Sequence, residues 1–484
     1  MNTPLRRLTS VVVLMFVVLM GGATWVQFLQ APDLNNDNRN VRTLYREYDK
    51  DRGPLVVAGT AVASSTAVDD AFGYQRSYAN GPLYAPVTGY FSVLYGRSGL
   101  ERAMNTELNG SADSLFYNRI QDLVTGRQPQ GASVELTIDP AVQQAAWDAL
   151  GDQKGAAVAI DPRTGAILAL VSKPSFDPNV LSSHDTAAVN EAWTGLLADP
   201  DEPMSNRAIR GDTYPPGSTF KLVTAAAALE SGLTADTPIA APDLYTLPGT
   251  STTLQNFGGE TCSSTGAMSL SDALRISCNT AFAQLGVQLG DEALRDQAEA
   301  FGFDTDLQIP LDVTHSRFPT TAQIDPARTA LASIGQGDVR VTPLQMAMVA
   351  ATIANRGLEM KPYLVAGVRD QDLSVVDTTT PTELGRPISS ATAAALREMM
   401  IGVVNDGTGK AAQIDGVQVA GKTGTAQTTA EAAPHAWFTA FAPAENPTIA
   451  IAVVVEHGGT LGNEATGGRV AAPIARAMIQ AALS

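Results

Sequence analysis

The stretch from Leu8 to Leu29 constrains this chain before any other residue is considered. It runs for about 22 residues and is almost wholly apolar, from Val11 through Met20 and on through Trp25 and Phe28. About 20 apolar residues are enough to cross a bilayer as one helix. Arg6 and Arg7 lie on its short N-terminal side, which favours a cytoplasmic N-terminus and places the rest of the chain outside. Gly21 and Ala23 are small residues placed like a signal-cleavage site, so a removed signal peptide competes with a retained single-pass anchor. Apolar character continuing past Ala23 favours the anchor. Both readings export the protein.

The exported part is long. A chain of 484 residues with 44% hydrophobic content predicts two folded units with a substantial core. A net charge of −17 without any run of Lys and Arg excludes nucleic acid as a partner, since phosphates would be repelled. Cys262 and Cys278 are the two cysteines. Outside the membrane such a pair is expected to be oxidised, and closing a loop of that size contributes roughly 3 kcal/mol. The four histidines, His184, His315, His435 and His457, show no metal-ligand spacing, and neither a metal nor another cofactor is expected.

The order of patterns suggests the organisation. Residues 1–30 form a cytoplasmic tip and anchor, and the polar run Asn35 to Asn40 reads as a linker opening a non-catalytic unit over 31–140. Within that unit, Arg42 to Gln130 mixes short apolar runs with Gly, Asn and Tyr, and predicts a small, mostly extended domain. Residues 141–484 form the second unit. Asp139-Pro140 caps a helix through Leu150. A hairpin follows, with strands Ala156–Ile160 and Ala166–Val171 around the turn Asp161–Gly165. Pro343–Asn355 is a helix capped by Thr342 and ended by Gly357. Trp437–Phe441 and Ile449–Val455 read as strands, and Ala471–Leu483 as a closing helix. Helices with antiparallel strands make an α+β unit.

Three short motifs carry chemistry. In Pro215-Pro216-Gly217-Ser218-Thr219-Phe220-Lys221, the prolines and glycine stop a helix from starting early, and Phe220–Glu230 is helical by content. Ser218 therefore sits at a helix head with Lys221 on the same face. A serine hydroxyl needs a base, and lysine serves if burial or a neighbouring cation leaves it neutral. Taken alone, the pair reads more readily as an N-cap and a solvated lysine. Ser277-Cys278-Asn279 lies on a helix–helix connection, where Ser277 can relay a proton and Asn279 can hold an amide; a capped turn is the plain alternative. Lys422-Thr423-Gly424-Thr425 ends a strand beginning near Val417 and Val419. Its glycines admit a close ligand, and Lys422 supplies positive charge both for a carboxylate and against Lys221. The plain alternative is a glycine-rich strand end. Each motif occurs once, and together they are far more specific than any one of them.

With these motifs in this order, behind an anchor, the chain resembles a class B penicillin-binding protein of the short penicillin-binding protein A type. The resemblance extends to Leu136-Thr137-Ile138-Asp139-Pro140, Pro174-Ser175-Phe176-Asp177-Pro178-Asn179, Gly335-Gln336-Gly337 and Val341-Thr342-Pro343-Leu344-Gln345. It implies an antiparallel sheet flanked by helices, as in serine β-lactamases, with a smaller N-terminal domain. It further implies Ser218 as the acylated nucleophile, Lys221 as its base, Ser277, Asn279 and Lys422 as further catalytic groups, and Thr423, Gly424 and Thr425 as substrate-binding. The implied substrate is a peptidoglycan stem peptide ending in D-Ala-D-Ala, cross-linked through an acyl-enzyme that β-lactams trap at Ser218. A glycan-polymerising membrane partner and a role leaning towards cell division are also implied. By the same resemblance, a Cys262–Cys278 bond would brace one wall of the site.

Readings that share the nucleophile are a D,D-carboxypeptidase, in which water resolves the acyl-enzyme, and a β-lactamase. A scaffold of the wall-building machinery with a relict site is a reading of another class. A Gly-x-Ser-x-Gly elbow is absent, which removes the usual Ser-His-Asp hydrolase. No room remains before residue 140 for a glycosyltransferase domain.

Overall fold

The computed structural model describes residues 1–484 except 1, 32–33, 35–47, 49, 116–124, 128–129, 212, 321–323 and 429–431. The expected linker at Asn35–Asn40 and the start of the following unit at Arg42 lie outside the described residues. Asn2–Thr24 is helical and continues through one wider turn, Trp25–Leu29. Arg6–Leu29 is the one described helix long and apolar enough to cross a membrane, and its large apolar side chains are exposed. At 1.5 Å per residue its 24 residues reach about 36 Å, more than a hydrocarbon core of about 30 Å.

Two sheets organise the rest. Strands β1 (Leu55–Val57), β2 (Thr60–Ala67), β3 (Tyr74–Tyr78) and β4 (Ser133–Leu136) come from the N-terminal part. Strands β5 (Gly155–Ile160), β6 (Ile167–Lys173), β7 (Val365–Arg369), β8 (Val375–Thr378), β9 (Ala420–Ala426), β10 (His435–Ala442) and β11 (Ile449–Val455) come from the remainder. The first sheet has the order β8-β7-β4-β1-β2-β3 and the second β9-β10-β11-β5-β6. The second is antiparallel throughout. The first crosses the sequence boundary expected near residue 140, because β7 pairs with β4.

The N-terminal part is less extended than its composition suggests. Two short helices, Gly81–Thr88 and Gly99–Ala103, stand where a mostly extended unit was expected. Pro82 and Pro86 mislead here. Pro82 sits in the first turn, where no N–H is needed, and an eight-residue helix tolerates Pro86 near its end.

The five-stranded sheet follows from uninterrupted apolar runs. Every residue of β5, β10 and β11 is buried, as strands covered on both faces must be. Alternation then divides them between two cores. Ala157, Ala159, Ile451 and Val453 face the helices Pro140–Leu150 and Gly467–Leu483, whereas Ala156, Val158, Ala450 and Ala452 join the core of the fully buried helix Pro343–Ala354. Asp139 accepts the N–H groups of Ala141 and Val142, and Thr342 that of Gln345. Both caps stand where the sequence places them. The closing helix begins four residues earlier than predicted, at Gly467, with Pro473 inside it.

Candidate active site

The turn that carries Ser218 is assembled from its backbone outward. Gly217–Thr219 is a single tight helical turn feeding the helix Lys221–Glu230. Thr219 Oγ1 donates to Pro216 O at 2.7 Å, and Gly217 N donates to Gly335 O at 2.9 Å. Gly217 takes φ +53°, and a Cβ there would stand 2.6 Å from Thr425 O. Only glycine lets the Ser218 turn lie this close to the end of β9. Within β9, a Cβ on Gly424 would stand 2.9 Å from Trp437 Cβ and 3.0 Å from Pro216 O of the same turn. The two glycines thus bring Ser218 and Thr425 to one place.

Lys221 is fully buried. Its Nζ donates to Ser277 O at 2.7 Å, to Asn279 Oδ1 at 2.8 Å and to Ser277 Oγ at 3.3 Å. Lys422, also fully buried, reaches the same hydroxyl, with Nζ 2.8 Å from Ser277 Oγ and 2.9 Å from Thr423 O. Ser277 is therefore the junction between the two amines. It occupies φ +63°, a left-handed conformation that costs a non-glycine residue about 1–3 kcal/mol and is held by its surroundings. Burial pushes the Lys221 amine well below the ordinary lysine value, and the Lys422 charge lowers it further. Burial alone brings Lys422 down to about 7. No carboxylate bonds either amine among the described residues, so both are inclined to shed protons.

The walls hold residues that sequence reasoning missed. Asn256 is buried, and its Oδ1 accepts the N–H groups of Asn279 (2.9 Å) and Thr280 (3.1 Å), capping the helix Asn279–Leu289. Cys262 and Cys278 are joined, with Cα atoms 6.0 Å apart, tying that loop to the second motif. Thr408 Oγ1 lies 2.6 Å from Thr423 Oγ1. Behind the nucleophile turn, Glu456 Oε1 accepts from Tyr214 Oη at 2.7 Å and from Arg207 Nε at 2.9 Å, and Trp437 Nε1 donates to Pro215 O at 3.1 Å. His435 is buried beside Tyr214, with its pKa lowered to about 4 by burial and by His457. No local signal could reveal these partners, since Arg207 and Glu456 are 249 residues apart.

Lys221, Ser277, Asn279, Lys422 and Thr423 are thus joined by hydrogen bonds, and Gly217 and Gly424 seat the turn that carries Ser218 against Thr425. It is the arrangement that the three motifs predict for serine–lysine acyl transfer. Residues 155–480 match the penicillin binding protein transpeptidase domain, and residues 52–134 match the penicillin binding protein A dimerisation domain. The chain belongs to the penicillin-binding protein transpeptidase family. It is 47% identical to the peptidoglycan D,D-transpeptidase PbpA of Mycolicibacterium smegmatis, over 100% of this chain and 99% of that protein. It is 46% identical to PbpA of Mycobacterium tuberculosis with the same coverage. The structure of penicillin-binding protein A from M. tuberculosis as a ceftriaxone acyl-enzyme is similar at TM-score 0.88 and 46% identity, covering 91% of this chain and 100% of that one.

Proposed function

We propose that this protein is a membrane-anchored peptidoglycan D,D-transpeptidase that cross-links stem peptides through an acyl-enzyme on Ser218. The observation that carries the reading is the pair of buried amines meeting at Ser277, because a base for a serine hydroxyl must be uncharged when it acts. Neutral Lys221 takes the Ser218 proton as Oγ attacks the carbonyl of the penultimate D-Ala. The N–H groups of Ser218 and Thr425 hold the oxyanion. Ser277, bonded to both amines, passes a proton to the departing D-Ala nitrogen, and the amine of a second stem then resolves the ester. Asn279 and Thr423 orient the donor peptide, Gly424 leaves room for its backbone along β9, and Lys422 attracts its terminal carboxylate. A β-lactam enters as the donor does and remains as an ester.

Full-length relatives named D,D-transpeptidases, and a neighbouring structure holding a β-lactam acyl-enzyme, support this reading. Arg6 and Arg7 support an N-terminus inside and a catalytic unit outside. We assign residues 1–30 to the tip and anchor, 31–140 to a non-catalytic domain and 141–484 to the transpeptidase. A monofunctional cross-linking enzyme needs strands to join, so a glycan-polymerising membrane partner is assigned, with action in division. Fluorescent penicillin applied to the full-length protein, with the adduct mapped by mass spectrometry, tests the mechanism. Attachment at Ser218, lost in Ser218→Ala, is expected. Well-folded protein that acquires no label at Ser218 would refute it.

A further inference from the structure

The pattern Gly335-Gln336-Gly337 has no task in the proposed reaction, yet its segment touches all three motif-bearing elements. The segment leaves the helix Pro326–Ala332, with Gly335 N donating to Ala332 O at 2.8 Å. Thr224 Oγ1, on the helix that begins with Lys221, donates to Ser333 O at 2.7 Å. Ser333 Oγ lies 3.1 Å from Phe282 O, on the helix that begins with Asn279. A Cβ on Gly286 of that helix would stand 2.2 Å from Ser333 Cβ, so the helix packs directly on the segment. Ser333 and Gly335 are buried. The base of the segment is thus fixed to the first two motifs.

From this base it reaches the Ser218 turn and the end of β9. Gly335 O accepts Gly217 N at 2.9 Å, and a Cβ on Gly335, at φ +73°, would stand 2.1 Å from Gly217 O. The Gln336 side chain then crosses to the strand. Its amide, oriented by its partners, donates to Gln427 O at 3.2 Å and accepts from Gln427 N at 3.3 Å. One amide group copies the exchanged N–H and C=O bonds of a neighbouring strand. β9 is an edge strand of its sheet, and Gln427 lies two residues past Thr425, the spacing at which strand groups share an edge.

We propose that Gln336 is a positioning residue for acylation. By clamping the end of β9 to the Ser218 turn, its amide fixes the distance between the N–H groups of Ser218 and Thr425. The inference rests on the reading that these two N–H groups hold the oxyanion. Such donors work when they are aimed before the charge forms, and a displacement of about 1 Å can cost a hundredfold in rate. Glutamine suits the task because its amide both donates and accepts. Held at two points, the strand end is fixed in orientation as well as in distance.

The test uses full-length protein in detergent and penicillin G isotopically labelled at its β-lactam carbonyl. After acylation that carbon is the ester carbonyl, whose infrared band falls in wavenumber as hydrogen bonds to its oxygen strengthen. Gln336→Met keeps the length of the side chain and loses both bonds, and should move the band to higher wavenumber. Its acylation rate constant should fall about tenfold to a hundredfold, with initial noncovalent affinity changed about twofold or less. Gln336→Glu sets a carboxylate oxygen against Gln427 O and should act in the same direction. Asp338→Ala, at an exposed position of the same loop, should match wild type in band and rate. Should Gln336→Met fail to fold, Gln336→Asn, a methylene too short to reach, is read in its place. An unmoved band or an unchanged rate constant in the folded Gln336 variants overturns the proposal. Wild-type protein that forms no ester at Ser218 counts first against the transpeptidase reading, and the clamp then falls with it.

Discussion

Two regions of this molecule bury charged side chains, and they treat them in opposite ways. In the N-terminal unit, Glu101 is fully buried between Arg52 and Arg76, with oxygens 2.6 and 2.7 Å from the two guanidiniums. Tyr78 Oη, at 3.1 Å, and the carbonyls of Arg52 and Gly53 join the cluster. Burial pushes the Glu101 carboxyl up, but Arg76 and Arg52 together outweigh it and hold the carboxyl below its usual value. In the active site, Lys221 and Lys422 are just as buried and have neutral oxygens for company, so their pKa values fall. A buried cluster of opposite charges locks structure. An uncompensated pair of amines stores reactivity, because the energy that would hold a proton has been withdrawn.

The sharpest way to break this contrast is at Lys221. Lys221→Met should slow penicillin acylation by about a thousandfold or more, roughly 4 kcal/mol, while the thermal midpoint stays level or rises, since a costly buried amine is gone. Rapid labelling by this variant would end the case for a lysine base. Glu101→Gln should behave in reverse. Leaving two buried guanidiniums short of their carboxylate costs about 3–5 kcal/mol of stability, read by denaturant unfolding, with the labelling rate of the folded fraction unchanged.

Lys422 sharpens the comparison through pH. Its pKa falls from the ordinary lysine value of 10.5 to about 7 in the folded protein, so between those values the unfolded chain binds more protons than the folded one. Stability contributed by this group therefore rises with pH from about 7 towards 10.5 and is lowest below 7. The stability difference between wild type and Lys422→Met, measured across that window, should shrink as pH rises. A difference flat with pH would mean that the amine is not depressed. The smallest effect is expected at Glu456→Gln, which weakens the anchors of Arg207 and Tyr214. Labelling should fall about three- to tenfold, near 1 kcal/mol, with most of the loss in the acylation rate constant and little in initial penicillin affinity.

Much of the fold could be read from runs and caps. The apolar strands at 156–160 and 449–455, the Asp139 and Thr342 caps and the Leu8–Leu29 span depend on neighbours in sequence, where period and capping chemistry act locally. The N-terminal unit was harder to read because its helices are short and contain proline, leaving too few turns for a period to show. The pairing of β7 with β4 depends on contacts formed late in the chain and leaves no local trace.

The same division runs through the site. Sequence by itself determined the chemical inventory: a serine and lysine at helical spacing, a Ser-x-Asn connection, a Lys-Thr-Gly strand end and two cysteines behind an apolar N-terminal span. Only the tertiary structure decided that both amines meet at Ser277, that Asn256 and Thr408 brace the walls, and that Arg207, Tyr214 and Glu456 lie behind the nucleophile turn. Spacing along the chain reports which residues share a turn or a strand face. Depth of burial, and with it the loss of a lysine's proton, belongs to packing between segments hundreds of residues apart.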